Sequence, residues 1–300
     1  MNVEKEKAAT ERLKAFEPES EPYYLCYSGG KDSDCIRILA DIAGVKHEIV
    51  NNHTTVDAPE TVYYIRSIPN VKIEMPEKTM WQLIEEAMIP PTRVRRYCCS
   101  VLKERGGKGR KKVTGVRWEE SVRRAQNGGV VKVLGKEKTM MKEAEERGLD
   151  YIVPEKGGII MNDDNAETRR FVEHCYRTTS TLINPIIDWT DEDVWQFLHH
   201  YGCESNPLYK CGFKRIGCIG CPMASKAERI MEFNRYPKYK ENYIKAFDRM
   251  LKRRKERGPK YEKNDYWKSG EEVFAWWLGD DPNQLSIFDE EYEEILEDMK

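Results

Sequence analysis

The sequence predicts an α/β fold, a parallel sheet with flanking helices, followed by a mainly helical C-terminal region. Three observations point there. Short β-prone runs alternate with segments of helical period from Tyr23 to Gly202, and such alternation requires parallel strands joined by right-handed crossovers. The first run, Tyr23–Tyr27, stops at Ser28-Gly29-Gly30, as a buried strand does on entering a tight turn. Beyond Ala227, Ile230, Phe233, Tyr243, Phe247, Met250 and Leu251 follow a helical period under a basic exterior.

The elements follow in order. After a polar, helix-like leader and the strand at Tyr23–Tyr27, the segment Ser33–Ala43 carries Ile36, Leu39, Ala40 and Ala43 on one helical face, and Gly44 stands where a C-cap belongs. A second strand is expected at Val45–Val50, a helix at Pro59–Ser67, a third strand at Val71–Met75, a fourth at Lys112–Val116 and a fifth at Leu182–Ile187. The helix after it has Thr190 as N-cap and Asp193 three residues on, carries Val194, Trp195, Phe197, Leu198 and Tyr201, and ends at Gly202. Residues 119–181 are the least regular part. With strand-like pieces at Val130–Leu134 and Gly158–Met161, they read as an insertion or a substrate lid. Pro237 should break or offset the C-terminal helical pattern. The division is therefore residues 1–202 as the α/β domain and 203–300 as a cysteine-containing helical region with an acidic tail.

A chain of 300 residues can bury a core without metal or disulfide staples, so size does not explain its nine cysteines. Charged residues make up 34% and hydrophobic residues 39%, mean hydropathy is −0.76, and no stretch approaches the ~18 apolar residues of a membrane span. No membrane partner is expected. The N-terminal MNVEKEKAATERLK has neither an apolar core nor a small-residue cleavage site, which predicts a cytoplasmic, reducing setting. There, an odd number of cysteines reads better as metal ligands, redox groups or buried small hydrophobes than as disulfides. The net charge of −2 hides strong local bias: Arg93–Arg124 holds 12 basic and 3 acidic residues, Arg235–Lys263 holds 12 and 4, and Glu271–Lys300 holds 1 and 11.

Ser28-Gly29-Gly30-Lys31-Asp32-Ser33 lies between a strand and a helix, where backbone N–H groups freed by glycines face the helix N-terminus and bind anions. The Ser28 and Ser33 hydroxyls add donors, Lys31 adds positive charge, and Asp32 can hold a metal ion or orient the loop. Walker A and GxGxxG spacings are both absent, which excludes the ordinary P-loop and Rossmann readings. Two further segments bear chemistry: Cys98-Cys99, and the CxxC of Cys218 and Cys221 followed by Pro222. Four thiolates from two distant segments suit a tetrahedral zinc or a cubane iron–sulfur cluster, and an adjacent pair is more easily accommodated by the larger cluster.

The SGGKDS loop resembles the hallmark loop of the N-type ATP pyrophosphatases, the adenine nucleotide alpha-hydrolase-like group of HUP type. The cysteine pair plus CxxC resembles the iron–sulfur members of the phosphoadenosine phosphosulfate (PAPS) and adenosine phosphosulfate (APS) reductase family. Pro59-Glu60-Thr61, Gly115–Ser121 with Arg124, and Asn184–Thr190 match recurring segments of that family, so the resemblance covers about Tyr23 to Met223. It implies a nucleotide-binding domain in which Ser28, Gly29, Gly30, Lys31, Asp32 and Ser33 cradle ATP with Mg2+, and Arg117 and Arg124 contact phosphate or sulfate. Lys31, Asp32 and Arg117 would be the catalytic residues. It also implies Cys98, Cys99, Cys218 and Cys221 as ligands of a 4Fe-4S cluster, with Cys203 and Cys211 as substitutes or sulfur carriers.

Two departures divide the family resemblance. No cysteine follows Cys221, whereas the sulfonucleotide reductases carry their nucleophile in a C-terminal ECGxH-like motif; and Lys31 is retained in a loop that those reductases usually modify. Both favour ATP over PAPS or APS and bring the chain nearest the DndC-like iron–sulfur branch. The implied activity is ATP-dependent adenylation and sulfur transfer to a nucleic acid or small acceptor. The alternatives are a PAPS/APS reductase, an oxidoreductase, and a nucleic-acid-binding accessory or defence protein with a structural cluster. The two basic blocks fit a DNA or RNA partner. A sulfur donor protein would complete the reaction, and Gln284–Phe288 resembles a sliding-clamp docking pentapeptide.

Overall fold

The computed structural model describes residues 2–155, 157–175, 180–258 and 267–279. Gln284–Phe288 and most of the acidic tail lie outside them. The chain forms two compact units: residues 1–52, 59–74 and 105–216 make the first, and residues 53–58, 75–104 and 217–300 the second.

The first unit is built on a seven-stranded sheet. Its strands are β1 (Tyr23–Cys26), β2 (His47–Asn52), β3 (Val71–Glu74), β4 (Lys111–Val113), β5 (Val131–Leu134), β6 (Ile159–Met161) and β7 (Ser180–Ile183), in spatial order β3-β2-β1-β4-β7-β5-β6. The five from β3 to β7 are parallel, as the alternating pattern predicts. β5 then pairs antiparallel with β7, and β6 antiparallel with β5. The segment read as an insertion therefore extends the sheet. The cause is apolar burial: Val131, Val133, Ile159 and Met161 are all fully buried, each contributing about 1.5–3 kcal/mol by leaving water.

β4 stops at Val113 and β7 at Ile183, short of the expected ends. Beyond β7, Asn184 turns its side-chain amide to the Gly129 carbonyl (2.7 Å) and Pro185 has no N–H to continue a ladder. Helix α1 (Val3–Ala15) packs Ala9 and Leu13 into the core, and the Tyr23 hydroxyl donates to the Leu13 carbonyl at 2.9 Å. α2 (Lys31–Ala43) closes on Gly44 in the left-handed region, φ 66°. α3 (Pro59–Ser67) lies in the same unit. So do α5 (Val122–Asn127), α6 (Glu137–Glu146), α7 (Ala166–Cys175) and α8 (Asp191–His200), the last with the expected Thr190–Asp193 capping box.

The second unit holds α4 (Met80–Ala87), a π-type turn at Cys99–Lys103, α9 (Lys226–Arg235), α10 (Pro237–Arg257) and a further helix at Gly270–Leu278. Pro237 takes the first position of α10, where its missing N–H costs nothing, and so offsets it from α9. Tyr243 is the centre of an aromatic core, with Trp81 and Trp277 at 4.9 and 4.7 Å between ring centroids and Phe233 and Phe247 beyond them. Among the described residues no helix is long and apolar enough to cross a membrane.

Candidate nucleotide and thiol sites

The phosphate loop leaves the C-terminal end of β1 and enters α2 at Lys31. Gly29 has φ 72°, and a Cβ there would stand 2.8 Å from Ile65 Cγ1, so only glycine fits the turn. The loop is stitched from within: the Gly30 N–H donates to Ser33 Oγ (3.0 Å), and that hydroxyl donates back to the Gly30 carbonyl (2.7 Å). Ser28 Oγ lies 3.4 Å from Ser33 Oγ. From outside, Asn206, fully buried, donates to the Gly29 carbonyl (3.0 Å) and to Thr61 Oγ1 (3.1 Å). The Tyr209 hydroxyl accepts the Lys31 N–H at 2.9 Å.

A compact charge cluster stands beside the loop. Arg117, only 2% exposed, directs Nε to Asp32 (2.7 Å), Nη1 to Glu119 (3.1 Å) and the Trp189 carbonyl (3.2 Å), and Nη2 to Asp191 (2.6 Å). The Lys31 ammonium is 3.3 Å from Asp191 and 3.9 Å from Asp32. Burial disfavours the guanidinium charge, but Asp32 and Asp191 outweigh it and raise the Arg117 pKa. Burial also works against the Asp191 carboxylate, and Lys31 and Arg117 overcome it, holding its pKa below the usual value. Gly115 makes the approach of Arg117 feasible, because a Cβ there would meet the Asp32 backbone at 2.9 Å. Arg124 is half-exposed and pairs with Glu120 (2.7 Å), so its ion pair among the described residues is not with the loop.

Asp34, one turn into α2, is fully buried and accepts from Tyr27 Oη (2.6 Å) and Tyr64 Oη (2.9 Å). Burial pushes its carboxyl up to about 6, although both tyrosines favour the charged form. A pKa above the usual 3.8 means that folding takes up a proton, so this contribution is complete at low pH and lost as pH rises through about 6. Urea unfolding is expected to show wild-type stability falling by about 2–3 kcal/mol between pH 4 and 7 relative to Asp34→Asn. Parallel profiles for the two proteins would refute the raised pKa.

Cys98, Cys99, Cys218 and Cys221 all belong to the second unit. Cys98 and Cys99 share a hydrogen bond that draws the Cys99 thiol down to about 6 and raises Cys98, on which the charges of Cys218 and Cys221 also act. Burial pushes Cys218 up to about 11. The CxxC turn is fixed from several sides. Its Gly220 N–H donates to Glu232 (2.6 Å), Tyr243 Oη donates to the Ile219 carbonyl (2.9 Å), and the Ile219 N–H donates to the Val56 carbonyl (2.8 Å). The donor set is soft and thiol-rich, which suits zinc or iron–sulfur ligation. Yet among the described residues no group of three or more His, Cys, Asp or Glu side chains is arranged to hold a metal ion. The thiols are gathered in one unit without closed ligand geometry. Cys203 and Cys211 belong to the first unit; Cys203 Sγ lies 4.0 Å from the Arg37 guanidinium, and Cys211 is exposed.

The basic blocks are partly structural. Lys111 is 1% exposed and bonds the Phe16 carbonyl and Glu173, Arg110 pairs with Glu48 at 2.7 Å, and Arg117 is enclosed by carboxylates. On α10, Arg254 is buried, and Arg249 faces Glu85. Asp191, Asn206 and Tyr209 were not singled out by sequence reasoning as loop partners. The signal available for them was the run of short motifs from Asp188 to Tyr209 downstream of the fifth strand, whose partners lie far away in sequence.

A family model for the phosphoadenosine phosphosulfate reductase domain matches residues 22–224. An uncharacterised protein of Methanocaldococcus jannaschii is 27% identical over 228 residues, 74% of this chain and 47% of its own length. An adenosine 5'-phosphosulfate reductase of Allochromatium vinosum is 43% identical over 42 residues, 14% of this chain and 16% of that enzyme. The chain thus spans less than half the length of either relative. Among solved structures, a phosphoadenylyl-sulfate reductase from Candida auris is similar over 73% of this chain and 96% of that one, at 15% identity and a TM-score of 0.39, too low to bear on activity. The family match takes in the phosphate loop, Arg117, Arg124 and the four cysteines of the second unit, and on that ground the chain belongs to the phosphoadenosine phosphosulfate reductase domain family.

Proposed function

We propose that the protein is an ATP-dependent adenylating and sulfur-transferring enzyme of this family, acting on a nucleic acid or a small acceptor. The observation that carries this reading is the intact SGGKDS loop, with Lys31 held beside Asp32 and Asp191 at the N-terminus of α2. Backbone N–H groups and a lysine at a helix N-terminus suit a polyphosphate better than a single sulfate ester.

In this reading the loop and Lys31 bind the β- and γ-phosphates, and Asp32, oriented by Arg117, holds Mg2+. An acceptor oxygen attacks the α-phosphorus, the bond to the bridging oxygen breaks, and pyrophosphate leaves. A sulfur nucleophile then displaces AMP from the activated acceptor. Cys98, Cys99, Cys218 and Cys221 match an iron–sulfur group by donor chemistry, and such a group supplies electrons or sulfur when bound. The exposed basic residues near Lys103–Lys112 would contact a phosphate backbone, fewer of them than composition alone suggests. This activity would resemble that of the DndC-like branch.

Incubation with ATP, Mg2+ and candidate RNA, DNA or small acceptors tests the reading. Pyrophosphate release stimulated at least tenfold by one acceptor class, and lost in Lys31→Ala, is the expected result. Sulfite formation from PAPS or APS with a thiol reductant, without pyrophosphate release from ATP, would favour the reductase instead.

A further inference from the structure

The Lys31 N–H is the first amide of α2 and the donor that a phosphate at this helix N-terminus would use, yet its hydrogen is taken by the Tyr209 hydroxyl at 2.9 Å. The other engaged loop amide, Gly30, is bonded by its near neighbour Ser33, whereas Tyr209 reaches Lys31 from 178 residues along the chain. The tyrosine is held there by its surroundings. Asn206, at the start of the same 3-10 turn (Pro207–Cys211), grips the Gly29 carbonyl and Thr61, and Trp195 packs its ring edge-on at 5.0 Å between centroids. Burial, followed by the nearby carboxylates of Asp32, Asp34 and Asp191, raises the hydroxyl's pKa although the Lys31 N–H favours its anion, so it stays a neutral acceptor.

We propose that Tyr209 sets an affinity threshold at this loop by competing with phosphate for the Lys31 N–H, so that only a strongly charged oxyanion displaces its hydroxyl. An N–H has one hydrogen, and a good second acceptor must replace the first. A phosphate oxygen forms a charge-assisted bond roughly twice as strong as that of a neutral hydroxyl and wins the exchange; a weakly basic anion such as sulfate gains less. The proposal rests on the reading that this loop takes the polyphosphate of a nucleotide, and it adds the threshold that an anion must exceed.

In Tyr209→Phe, the ring stays and the competing oxygen goes, leaving the Lys31 N–H unpaired until an anion arrives. Calorimetric titration of the full chain with inorganic pyrophosphate is expected to show about tenfold tighter binding than wild type, since an unsatisfied donor is costly and the anion relieves it. Sulfate, whose bond to this amide is weaker, is expected to gain by no more than the same factor, so the preference for pyrophosphate does not narrow. Amide exchange at Lys31 should speed up in the free variant and slow again with pyrophosphate, a change that a packing role would not produce. Tyr209→Leu, which removes the ring as well, should shift affinity in the same direction.

Unchanged or weaker pyrophosphate binding in both variants would overturn the proposal, weaker binding showing that the hydroxyl holds phosphate itself. Failure of wild type and variants alike to bind pyrophosphate would overturn it too. Because the titration needs no turnover, a wild-type protein that releases no pyrophosphate from ATP would remove the functional reading and leave this result standing.

Discussion

Arg117→Met is expected to weaken ATP binding by at least a hundredfold and to lower stability by about 2–4 kcal/mol, measured by calorimetry and urea unfolding. The guanidinium is buried, while Asp32, Glu119 and Asp191 that surround it are partly exposed, with side-chain exposures of 24%, 49% and 58%. Removing the cation leaves Asp32 and Asp191 to Lys31 alone and Glu119 without its cation. Solvent screens Glu119 and Asp191, which is why the stability cost stays below the upper range for a buried pair. The binding cost is larger because the uncompensated charge lies beside the loop, where polyphosphate must approach. Arg117→Lys restores the charge without the planar fork and should recover only part of both losses. Wild-type affinity in the methionine variant would show that the cluster does not shape the phosphate site.

If the four cysteines hold the proposed iron–sulfur group, Cys218→Ala removes most of the iron and sulfide from anaerobically prepared protein, with loss of visible absorption. A proteolysis-detected melting point for the second unit should fall with it. Metal held by thiols contributes folding energy outright, so losing one of four donors is expected to cost at least tenfold in retention. Cys99→Ala should behave alike, because it removes another of the same four thiols of the second unit. Cys26→Ala is the control: that thiol lies in β1, in the other unit. A wild-type protein containing zinc and no visible chromophore would refute the cluster, and full iron retention in both variants would refute the ligand set.

The parallel half of the sheet is legible in the sequence because each strand is a short apolar run bounded by a turn signal. The antiparallel extension is legible only in pieces. Val131–Leu134 alternates and Ile159–Met161 is a short apolar run, but nothing local says that β5 pairs with β7. The phosphate loop is readable because its function depends on contiguous residues. Its supports are not, since Asp191, Asn206 and Tyr209 reach it across long stretches of chain, and sequence periodicity carries no information about such partners. Arg117 shows the same limit: a basic residue after the fourth strand can be recognised, while its enclosure by three carboxylates cannot. Charge counts mislead for a related reason. Lys111 and Arg254 add to the basic blocks but are buried, so they lend the surface little positive potential.

In the proposed function this loop takes ATP in preference to a sulfonucleotide. The measurement that tests it most directly is calorimetric titration of the intact protein with ATP and Mg2+, with PAPS and with APS, under one set of conditions. ATP is expected to bind at least tenfold tighter than either sulfonucleotide, with the preference lost in Lys31→Ala. Tighter binding of PAPS or APS, unaffected by Lys31→Ala, would contradict it.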